Sequence, residues 1–551
     1  MLQIDKLVPR ARMLFAAAFI TSLVCGAANA LLVMLINASL HRLDGGLAQW
    51  LLPFAGIAVL AMLSQMASRA LFAHLGQQCL AALRRYVAQV VIDAPFRRLE
   101  MVGRARIQSL LTDDAMAIAT FLVAFPITAT NAVIVVGCLA YLAYLSWVMF
   151  LAAAAAVLIG SIAYHLCHQK VLDYLRLAGK GQDHLFNQFE SLVGGAKELK
   201  LNRGKARLFQ ETVLAQAIDV VARNRTKGLL LLAVTLGWGR FLFLALIGMV
   251  LFSPLWVTPE SSAVITGYVI VFLFVMAPLE GILVTLPDFN LARVALGRIR
   301  ETTQRLSGEG EGQPLALGDG SREIELRLEG VTHSYYSERD DESFVLGPID
   351  LTLRPGEATF LVGGNGCGKT TLAKLITGLY QPEAGALRVN GAVVTEEARE
   401  SYRQLFSAVF SDFHLFESLL HAADSESDAL ANDWLRKLHL DHKVKVTDGA
   451  FSTRDLSQGQ RKRLALIAAC VEDRPVMVFD EWAADQDPVF KKAFYHQILG
   501  ELKARGKTLL VISHDDRYFA LADQMVKMER GQIVEQTVAI DDFAAAVRSA
   551  E

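Results

Sequence analysis

Residues 360–371 read FLVGGNGCGKTT, and this stretch decides the fold of the C-terminal half of the chain. The apolar run Ala358–Val362 before it predicts a buried strand, and Thr371–Thr377 predicts the helix that follows. The pattern G-x-x-x-x-G-K-T between a strand and a helix is typical of a phosphate-binding loop. Its glycines let backbone N–H groups point inward, and the helix N-terminus adds positive charge.

Two side chains of this loop have the chemistry that a nucleotide requires. Lys369 supplies a point charge for the β- and γ-phosphates, and the Thr370 hydroxyl suits Mg²⁺. From this stretch alone, a glycine-rich turn without a ligand stays open as the alternative. The predicted nucleotide contacts of the loop are Gly363, Asn365, Gly366, Cys367, Gly368, Lys369, Thr370 and Thr371.

The composition indicates a membrane protein. Of the 551 residues, 53% are hydrophobic and only 20% are charged, whereas globular proteins average about 25% charged residues. The net charge of −2 argues against nucleic acid as a partner, because binding phosphate backbones requires a basic surface. We expect no removable signal peptide. The cysteines show no paired or metal-binding spacing and are interpreted as reduced core residues: Cys25, Cys79, Cys138, Cys167, Cys367 and Cys470.

Residues 1–303 carry apolar runs that approach or exceed the ~20 residues needed to cross a bilayer. We predict an all-α transmembrane domain with six spanning helices and cytoplasmic helical extensions. The third and fourth runs are nearly adjacent, which predicts a tight hairpin. The six runs are Met13–Asn37, Trp50–Ala73, Thr120–Tyr144, Trp147–Leu166, Gly228–Phe252 and Ala263–Leu286.

The basic residues predict the orientation of these spans. They are concentrated before the first span and in two long segments, Leu75–Ala119 and Cys167–Lys227, which also keep helical periodicity. The segments around His41–Gly46 and Ser253–Glu260 are short and contain Arg42 as their only Lys or Arg. The positive-inside rule therefore places both termini and both long segments in the cytoplasm.

Two charged residues interrupt the apolar spans. Arg240 lies in the middle of the fifth span, and Glu280 lies in the sixth. The sequence leaves three alternatives open for Arg240. It faces a polar cavity or a substrate, it forms a structural ion pair, or the boundary of the fifth span is misplaced. Glu280 is a candidate partner for Arg240, or part of a kinked helix end after Pro278.

Beyond the spans, the composition changes twice. Residues 304–321 are rich in glycine and acidic residues, which is typical of a linker. Residues 322–551 alternate apolar strands with helical stretches, so we predict an α/β ATPase domain there.

A second nucleotide motif follows the phosphate-binding loop. Residues 475–481 read PVMVFDE, an apolar strand that ends in two carboxylates. We assign Asp480 to the metal ion and Glu481 as the general base that activates water.

Residues 456–463 read LSQGQRKR and precede a helical segment. Together with the two nucleotide motifs, they resemble the nucleotide-binding domain of ATP-binding cassette (ABC) transporters, whose signature is L-S-x-G-Q. In that family, the signature of one subunit caps the ATP held by the phosphate-binding loop of the other. The resemblance therefore implies a homodimer in which Ser457, Gly459 and Gln460 contact the partner's nucleotide, with ATP and Mg²⁺ as cofactors.

The same resemblance implies roles for three further residues. Tyr335 corresponds to the aromatic residue that stacks on adenine, with a strand-packing tyrosine as the alternative. His514, in the run VISHD, corresponds to the histidine that contacts the γ-phosphate. Asp487, in ADQDP, corresponds to the aspartate that communicates across the dimer.

Two positions depart from the family pattern. Ser411 stands where the family usually has a glutamine, and we expect its short hydroxyl not to reach Mg²⁺ as glutamine would. Asp412 or a bridging water is then the expected substitute. Trp482 replaces the usual proline after the catalytic carboxylate.

These departures, in residues 406–412 and 480–488, resemble a bacterial subgroup that exports cyclic peptides and peptide siderophores, including pyoverdine-precursor and syringomycin-type exporters. The resemblance implies an exporter-type half-transporter of the inner membrane, in contact with lipid, that hydrolyses ATP to export a peptide by alternating access. A lipid or multidrug flippase of the same architecture and an ATP-gated protein that does not pump stay open as alternatives. The transported molecule and a periplasmic or outer-membrane export partner are left undetermined.

Overall fold

The computed structural model of the chain describes residues 11–41, 48–252, 262–307, 323–337, 342–420 and 425–537. Its backbone separates into two compact units. The first unit contains the described residues up to Ile92 together with Arg104–Arg305. The second contains Asp93–Gly103 and the described residues from Leu306 onward. A short piece of the N-terminal half therefore packs with the C-terminal half.

The described residues of the N-terminal half are helical apart from short breaks of one or two residues. Single π-helical turns, Leu110–Asp114 and Phe209–Leu214, join two pairs of these helices. The helices are α1 (Ala11–His41), α2 (Ala48–Asp93), α3 (Phe96–Val102), α4 (Arg104–Ser109), α5 (Ala115–Leu145), α6 (Trp147–Gly194), α7 (Ala196–Leu201), α8 (Arg203–Leu208), α9 (Ala215–Leu251) and α10 (Ser262–Leu306).

Among the described residues, five helical segments are long and apolar enough to cross a membrane. They coincide with five of the six predicted spans and continue well beyond them as helix, as the periodicity indicated. They are Arg12–Leu40, Trp50–Asp93, Arg104–Leu145, Arg203–Leu251 and Ser262–Leu306. The remaining prediction, Trp147–Leu166, lies within α6, but most side chains from 156 to 168 are outside the described residues, so this span stays a prediction.

The short connection predicted between the third and fourth apolar runs is confirmed. Helix α5 ends at Leu145 and α6 begins at Trp147, so Ser146 alone separates them. Ser146 has an extended backbone, and its hydroxyl accepts a hydrogen bond from the backbone N–H of Met149 at 3.5 Å. This N-cap starts α6 because it satisfies an N–H that has no partner within the helix.

The described residues of the second unit contain two large sheets, the small two-stranded sheet β7-β8, and the surrounding helices. Its elements are β1 (Leu326–Ser337), β2 (Glu342–Leu353), β3 (Ala358–Gly363), α11 (Lys369–Ile376), β4 (Ala384–Val389), β5 (Ala392–Val393), α12 (Arg399–Arg403), β6 (Phe406–Val409), α13 (Ser425–Lys437), β7 (Val446–Thr447), β8 (Ala450–Phe451), α14 (Gln458–Val471), β9 (Val476–Asp480), α15 (Pro488–Ala493), α16 (Leu499–Ala504), β10 (Thr508–Ile512), β11 (Gln524–Glu529) and β12 (Gln532–Thr537).

The larger sheet has the order β12-β11-β3-β10-β9-β6 and is parallel except for β12. The smaller sheet has the order β2-β1-β4-β5 and is antiparallel. The carboxyl ends of β3, β9 and β10 therefore meet at one edge of the larger sheet. Since these strands precede the phosphate-binding loop, Asp480 and His514, the topology gathers the predicted site.

Apolar cores cover both faces of the larger sheet. On β3, Phe360 packs into one core and Leu361 into the other, and Phe479 and Val478 of β9 divide in the same way. Parallel strands that are buried on both faces read as continuous apolar runs, which explains the sequence before each motif. The predicted fold class, a helical membrane region followed by an α/β P-loop ATPase domain, is confirmed.

Three predicted segments fall wholly or partly outside the described residues. Helix α10 continues to Leu306, two residues beyond residue 304, where the predicted linker begins. Residues 308–322 of the linker region are outside the description, as are most of His41–Gly46 and all of Ser253–Glu260. The linker stays a prediction.

Candidate nucleotide-binding and hydrolysis site

The phosphate-binding loop joins β3 to α11 through glycines that no other residue could replace without strain. Gly363 and Gly368 have φ angles of +148° and +103°. A Cβ on Gly363 would lie 2.3 Å from the carbonyl oxygen of Met528 on the neighbouring strand β11. The loop therefore lies directly against the sheet, which only glycine permits. Helix α11 begins at Lys369, slightly earlier than predicted.

Lys369 is buried at the start of α11. Its Nζ donates hydrogen bonds to the carbonyl oxygens of Gly363 and Gly364 at 3.1 and 2.9 Å. A buried ammonium group needs such acceptors because it has lost its hydration. These bonds keep the ammonium inside the loop, where phosphate oxygens of a nucleotide would meet it.

A cavity of about 530 Å³ borders the outer side of the loop. It is lined by residues 364–367 and by Phe344 and Val345 of β2. Tyr335 of β1 is paired in register with Phe344, which places its backbone beside this cavity. The Tyr335 side chain is outside the described residues. Its stacking on adenine stays a prediction.

Asp480 ends β9 beneath the loop and is fully buried. Its Oδ2 accepts hydrogen bonds from the hydroxyls of Thr370 at 3.1 Å and Ser411 at 3.3 Å. Its Oδ1 has no hydrogen-bond partner among the described residues. Burial raises the pKa of this carboxyl, and the Thr370 hydrogen bond opposes the shift in part.

This arrangement fits Mg²⁺. A buried carboxylate with one unpaired oxygen gains from a cation, and hard oxygen donors are the ligands that Mg²⁺ prefers. Thr370 and Asp480 would hold the ion, as predicted. Asp412, the third predicted ligand, has an exposed side chain, and its role in binding the metal stays a prediction. Its neighbour Ser411 contacts Asp480, so the Ser411 hydroxyl does reach the carboxylate of the predicted metal site.

Glu481 and His514 lie together at the edge of the sheet. The Nε2 atom of His514 is 3.0 Å from Oε1 of Glu481. Glu481 has a φ of +51°, an uncommon conformation for a residue with a side chain. Its N–H donates to the carbonyl oxygen of Ile512 on β10 at 3.1 Å, which holds the backbone as it leaves the sheet. Strained backbone that its surroundings hold in place is often found at functional sites.

Lys462 supports Glu481 from the signature helix α14, and the sequence analysis did not single it out. Its Nζ donates to the carbonyl oxygen of Glu481 at 3.2 Å and pairs with Asp485 Oδ2 at 2.7 Å. The side chain is only 4% exposed. Lys462 stands between Arg461 and Arg463 in the sequence, so nothing in this basic run distinguished it as a lysine that packs against Glu481.

Trp482 occupies the position of the usual proline and is almost fully buried. Its ring lies 4.4 Å from that of Phe494, and its Nε1 donates to the carbonyl oxygen of Lys462 at 2.8 Å. Trp482 therefore connects the segment after Glu481 to α14, a connection that proline cannot make.

The signature motif begins α14. Ser457 is the N-cap, and its side chain and that of Gln460 form a capping box with each other's backbone N–H groups. A Cβ on Gly459 would lie 3.2 Å from the carbonyl oxygen of Asp485. Among the described residues, no hydrogen bond joins Ser457 to the phosphate-binding loop of the same chain.

Asp487 forms contacts within its own chain. It caps α15 through hydrogen bonds to two N–H groups, and its Oδ2 pairs with Arg463 at 3.1 Å. Arg463 also donates to Gln486 at 2.9 Å and lies over the ring of Phe490. Burial lowers the pKa of Arg463, while Asp487 acts in the opposite direction. Communication by Asp487 across a dimer stays a prediction.

Helix α3 packs next to α11 within the second unit, and the sequence analysis singled out no residue of this contact. Glu100 pairs with Lys374 of α11 at 2.8 Å and accepts a hydrogen bond from the hydroxyl of Tyr380 at 2.5 Å. The Lys374 ammonium also lies 5.2 Å from the ring centroids of Phe96 and Tyr380. Because α11 carries Lys369 and Thr370, α3 touches the helix that presents two predicted nucleotide ligands.

Comparisons with known proteins agree with this geometry. Residues 346–484 match the family model described as ABC transporter. The ATP-binding protein SyrD of Pseudomonas syringae pv. syringae is 36% identical over 530 residues, which cover 94% of this chain and 93% of the relative. The ATP-dependent lipid A-core flippase of Burkholderia thailandensis is 27% identical over 507 residues, covering 87% and 82%. That of Paraburkholderia xenovorans is 27% identical over 519 residues, covering 89% and 83%.

The similarity to SyrD includes both the helical half and the ATPase half. A relationship of this extent shows common architecture as well as a common nucleotide site. The chain therefore belongs to the ABC transporter family, as a multi-pass exporter of the membrane whose ATPase activity is coupled to transport.

Proposed function

We propose that this protein exports a peptide, cyclic or a siderophore precursor, across the bacterial inner membrane as a homodimer with both termini in the cytoplasm. The observation that carries the proposal is the 36% identity to SyrD along 94% of the chain, against 27% for the lipid A-core flippases. The two departures that resemble peptide exporters also have structural roles, since Ser411 contacts Asp480 and Trp482 binds α14.

The hydrolytic step uses Glu481 as the general base. Its carboxylate accepts a proton from the attacking water, and the His514 hydrogen bond holds it in place. The positive φ of Glu481 turns this side chain out of the sheet, while Lys462 holds the carbonyl oxygen behind it. We propose that Lys369 stabilises negative charge on the transferred phosphoryl group and that His514 contacts the same group.

Thr370 and Asp480 are the residues that would hold Mg²⁺, with Ser411 hydrogen-bonded to the same carboxylate. When bound, the ion neutralises charge on the β- and γ-phosphates. Holding the cation also satisfies the buried Asp480 carboxylate, whose own protein contacts leave one oxygen without a partner.

The dimer is supported by the separation of the two phosphate-binding motifs. The chain carries one phosphate-binding loop and one signature, and the described residues of a single chain form no hydrogen bond between Ser457 and that loop. We propose that Ser457, Gly459 and Gln460 bind the nucleotide held by the partner's loop. ATP then favours the closed dimer over the open one, and hydrolysis removes that preference, so the cavity alternates between the two sides of the membrane.

The test is ATP hydrolysis by the full chain in phosphatidylcholine vesicles, with and without candidate cyclic peptides. Glu481→Gln removes the base and keeps the side-chain size, so we expect hydrolysis to fall by about 10²–10⁴-fold. Glu426→Gln, on the exposed first turn of α13, is the matched control and should retain activity. Peptide stimulation of the wild type that is lost in Glu481→Gln supports the proposal.

Two other results would replace the proposal of peptide export. The lipid A-core flippases among the relatives favour lipid as the second candidate cargo. Stimulation by lipid A with indifference to every peptide would support that flippase function. Wild-type hydrolysis no faster than in Glu481→Gln would refute the general-base assignment and favour a gate that binds ATP without pumping.

A further inference from the structure

The apolar helices of the first unit contain an ion pair at membrane depth. Arg240 is the only charged residue between Gly228 and Phe252, and Glu280 is the only one between Ala263 and Leu286. Arg240 lies eleven residues before the end of α9 at Leu251, which is about 17 Å along a helix and roughly half of a hydrocarbon core. A charged group at this depth is costly and is therefore a candidate functional residue.

The pair uses only one side of the guanidinium. Nε of Arg240 donates to Oε1 of Glu280 at 2.6 Å, and Nη2 donates to Oε2 at 3.0 Å. Guanidinium has five N–H groups, so two on Nη1 and one on Nη2 have no partner among the residues that the structure describes. The Nη1 and Nη2 groups form a second fork, whose geometry matches another carboxylate or phosphate.

Exposure of the two side chains is unequal. The Arg240 side chain is 61% exposed in the protomer, whereas that of Glu280 is 28% exposed. Here the carboxylate is held against the helices while the cation projects outward. Charged residues within spans usually face the interior of the helix bundle or a water-filled cavity, so the exposed side of Arg240 is a candidate for lining a polar path.

Polar side chains on a third helix lie beside this pair. Asn131 of α5 packs against the backbone of α10 at Gly281, where a Cβ would lie 2.4 Å from its Nδ2 atom. Thr128 of α5 and Thr285 of α10 share a hydrogen bond of 2.7 Å. The apolar spans of α5, α9 and α10 therefore place polar groups in one region. A path for a partly polar cargo requires such groups.

We infer that Arg240 is an oxyanion-binding subsite on the cargo path, held by Glu280, and that it binds a free carboxylate of the exported peptide. This inference rests on the proposed function, since it names the chemical class of cargo. The same fork would accept the phosphate of a lipid, so the experiment must separate the two sources.

The experiment compares two acylated cyclic peptides that differ only at one residue, Glu or Gln, as stimulators of ATP hydrolysis in phosphatidylcholine vesicles. For the wild type we expect half-maximal stimulation at about tenfold lower concentration of the Glu peptide, which corresponds to ~1.4 kcal/mol for a charge-assisted bidentate contact. Arg240→Gln should abolish that difference. Arg240→Lys should retain only part of it, because an ammonium group keeps the charge and loses the fork.

Two further variants separate recognition from structure. Arg207→Gln with Glu211→Gln removes an exposed ion pair of the same kind outside the predicted spans and should leave the difference between the peptides intact. The exchange Arg240→Glu with Glu280→Arg restores a pair but moves the cation to the less exposed position. If the exchanged protein no longer prefers the Glu peptide, the result supports the subsite. If the exchanged protein prefers the Glu peptide as strongly as the wild type does, the pair is purely structural and the inference is overturned.

Failure of the subsite and failure of the proposed function give different results. If both peptides stimulate the wild type equally, or if Arg240→Gln keeps the preference, peptide export stands and the subsite is refuted. If neither peptide acts while lipid A stimulates hydrolysis, both the proposed function and the peptide-carboxylate assignment are refuted.

Discussion

The charged side chains discussed above have different surroundings in the two units of the molecule. In the ATPase unit, Lys369, Lys462 and Asp480 are buried, and each contacts more than one polar group. In the helical unit, the apolar spans hold the Arg240–Glu280 pair, in which the cation is mostly exposed. Chemistry on a phosphate needs groups held in position before the reaction. Cargo recognition needs a group with unused hydrogen-bonding capacity. Substitutions should therefore be tolerated very differently in the two units.

Replacing a glycine by alanine should show the largest difference in effect between the two units. Gly363→Ala places a Cβ 2.3 Å from the Met528 carbonyl oxygen at a φ of +148°, so we expect loss of ATP binding, or loss of the folded ATPase unit. Gly297→Ala on α10 adds a Cβ with no atom within 4 Å and should leave stability unchanged or raise it by up to ~1 kcal/mol. Nucleotide binding and thermal unfolding measure both. Normal ATP affinity in Gly363→Ala would contradict the close packing of the loop on β11.

Lys462→Met should reduce hydrolysis without preventing ATP binding. The variant keeps the length of the side chain but leaves Asp485 and the Glu481 carbonyl oxygen without their partner. We expect stability to fall by about 1–3 kcal/mol, the cost of unsatisfied polar groups, and kcat to fall by about tenfold because Glu481 is less well held.

The measurements for Lys462→Met are turnover, ATP affinity and denaturant unfolding. Lys437→Met, which removes an exposed ion pair with Glu501 on the surface of the ATPase unit, is the control. Unchanged kcat in Lys462→Met would show that the lysine stabilises the fold and does not position Glu481.

Asp480→Asn should change how stability depends on pH. Burial raises the folded-state pKa of Asp480 above its ordinary value of 3.8, so the folded state binds a proton more tightly than the unfolded chain. Wild-type stability contributed by this group is present below pH 3.8 and is lost as pH rises through the folded pKa. Without Mg²⁺, the variant should therefore melt at a higher temperature than the wild type at neutral pH, and the difference should vanish in acid. Added Mg²⁺ should stabilise only the wild type.

Glu100→Gln should have the smallest effect. It removes the charge that pairs with Lys374 of α11 and keeps a side chain able to bond with Tyr380. Since one partly exposed ion pair contributes about 0.2–1 kcal/mol, we expect basal hydrolysis to persist and cargo stimulation to fall a few-fold. Glu301→Gln, in an exposed pair on α10, is the control. Equal stimulation in both variants would show that the Glu100–Lys374 pair does not contribute to cargo-stimulated hydrolysis.

Sequence patterns predicted the nucleotide motifs of the ATPase unit, but they did not predict the residues that hold those motifs in place. The strand before Asp480 and the loop before Lys369 were recognisable because buried parallel strands are continuously apolar and phosphate-binding loops need glycine. Lys462 and Glu100 could not be assigned in this way, since their partners are separated in sequence and only folding brings them together. The contact of Ser411 with Asp480 could not be predicted for a similar reason, because it depends on how β6 and β9 lie side by side in the sheet.

The sequence by itself determined the long apolar helices, the two-part organisation and the nucleotide motifs, because length, periodicity and glycine spacing are local properties. It also identified Arg240 and Glu280 as charges within spans, with their relationship left open. Only the tertiary structure decided that they form a pair with a projecting cation, that Lys462 holds Glu481, and that α3 packs with the ATPase unit. These are contacts between distant segments, and their geometry depends on how helices and strands pack rather than on the pattern of any one of them.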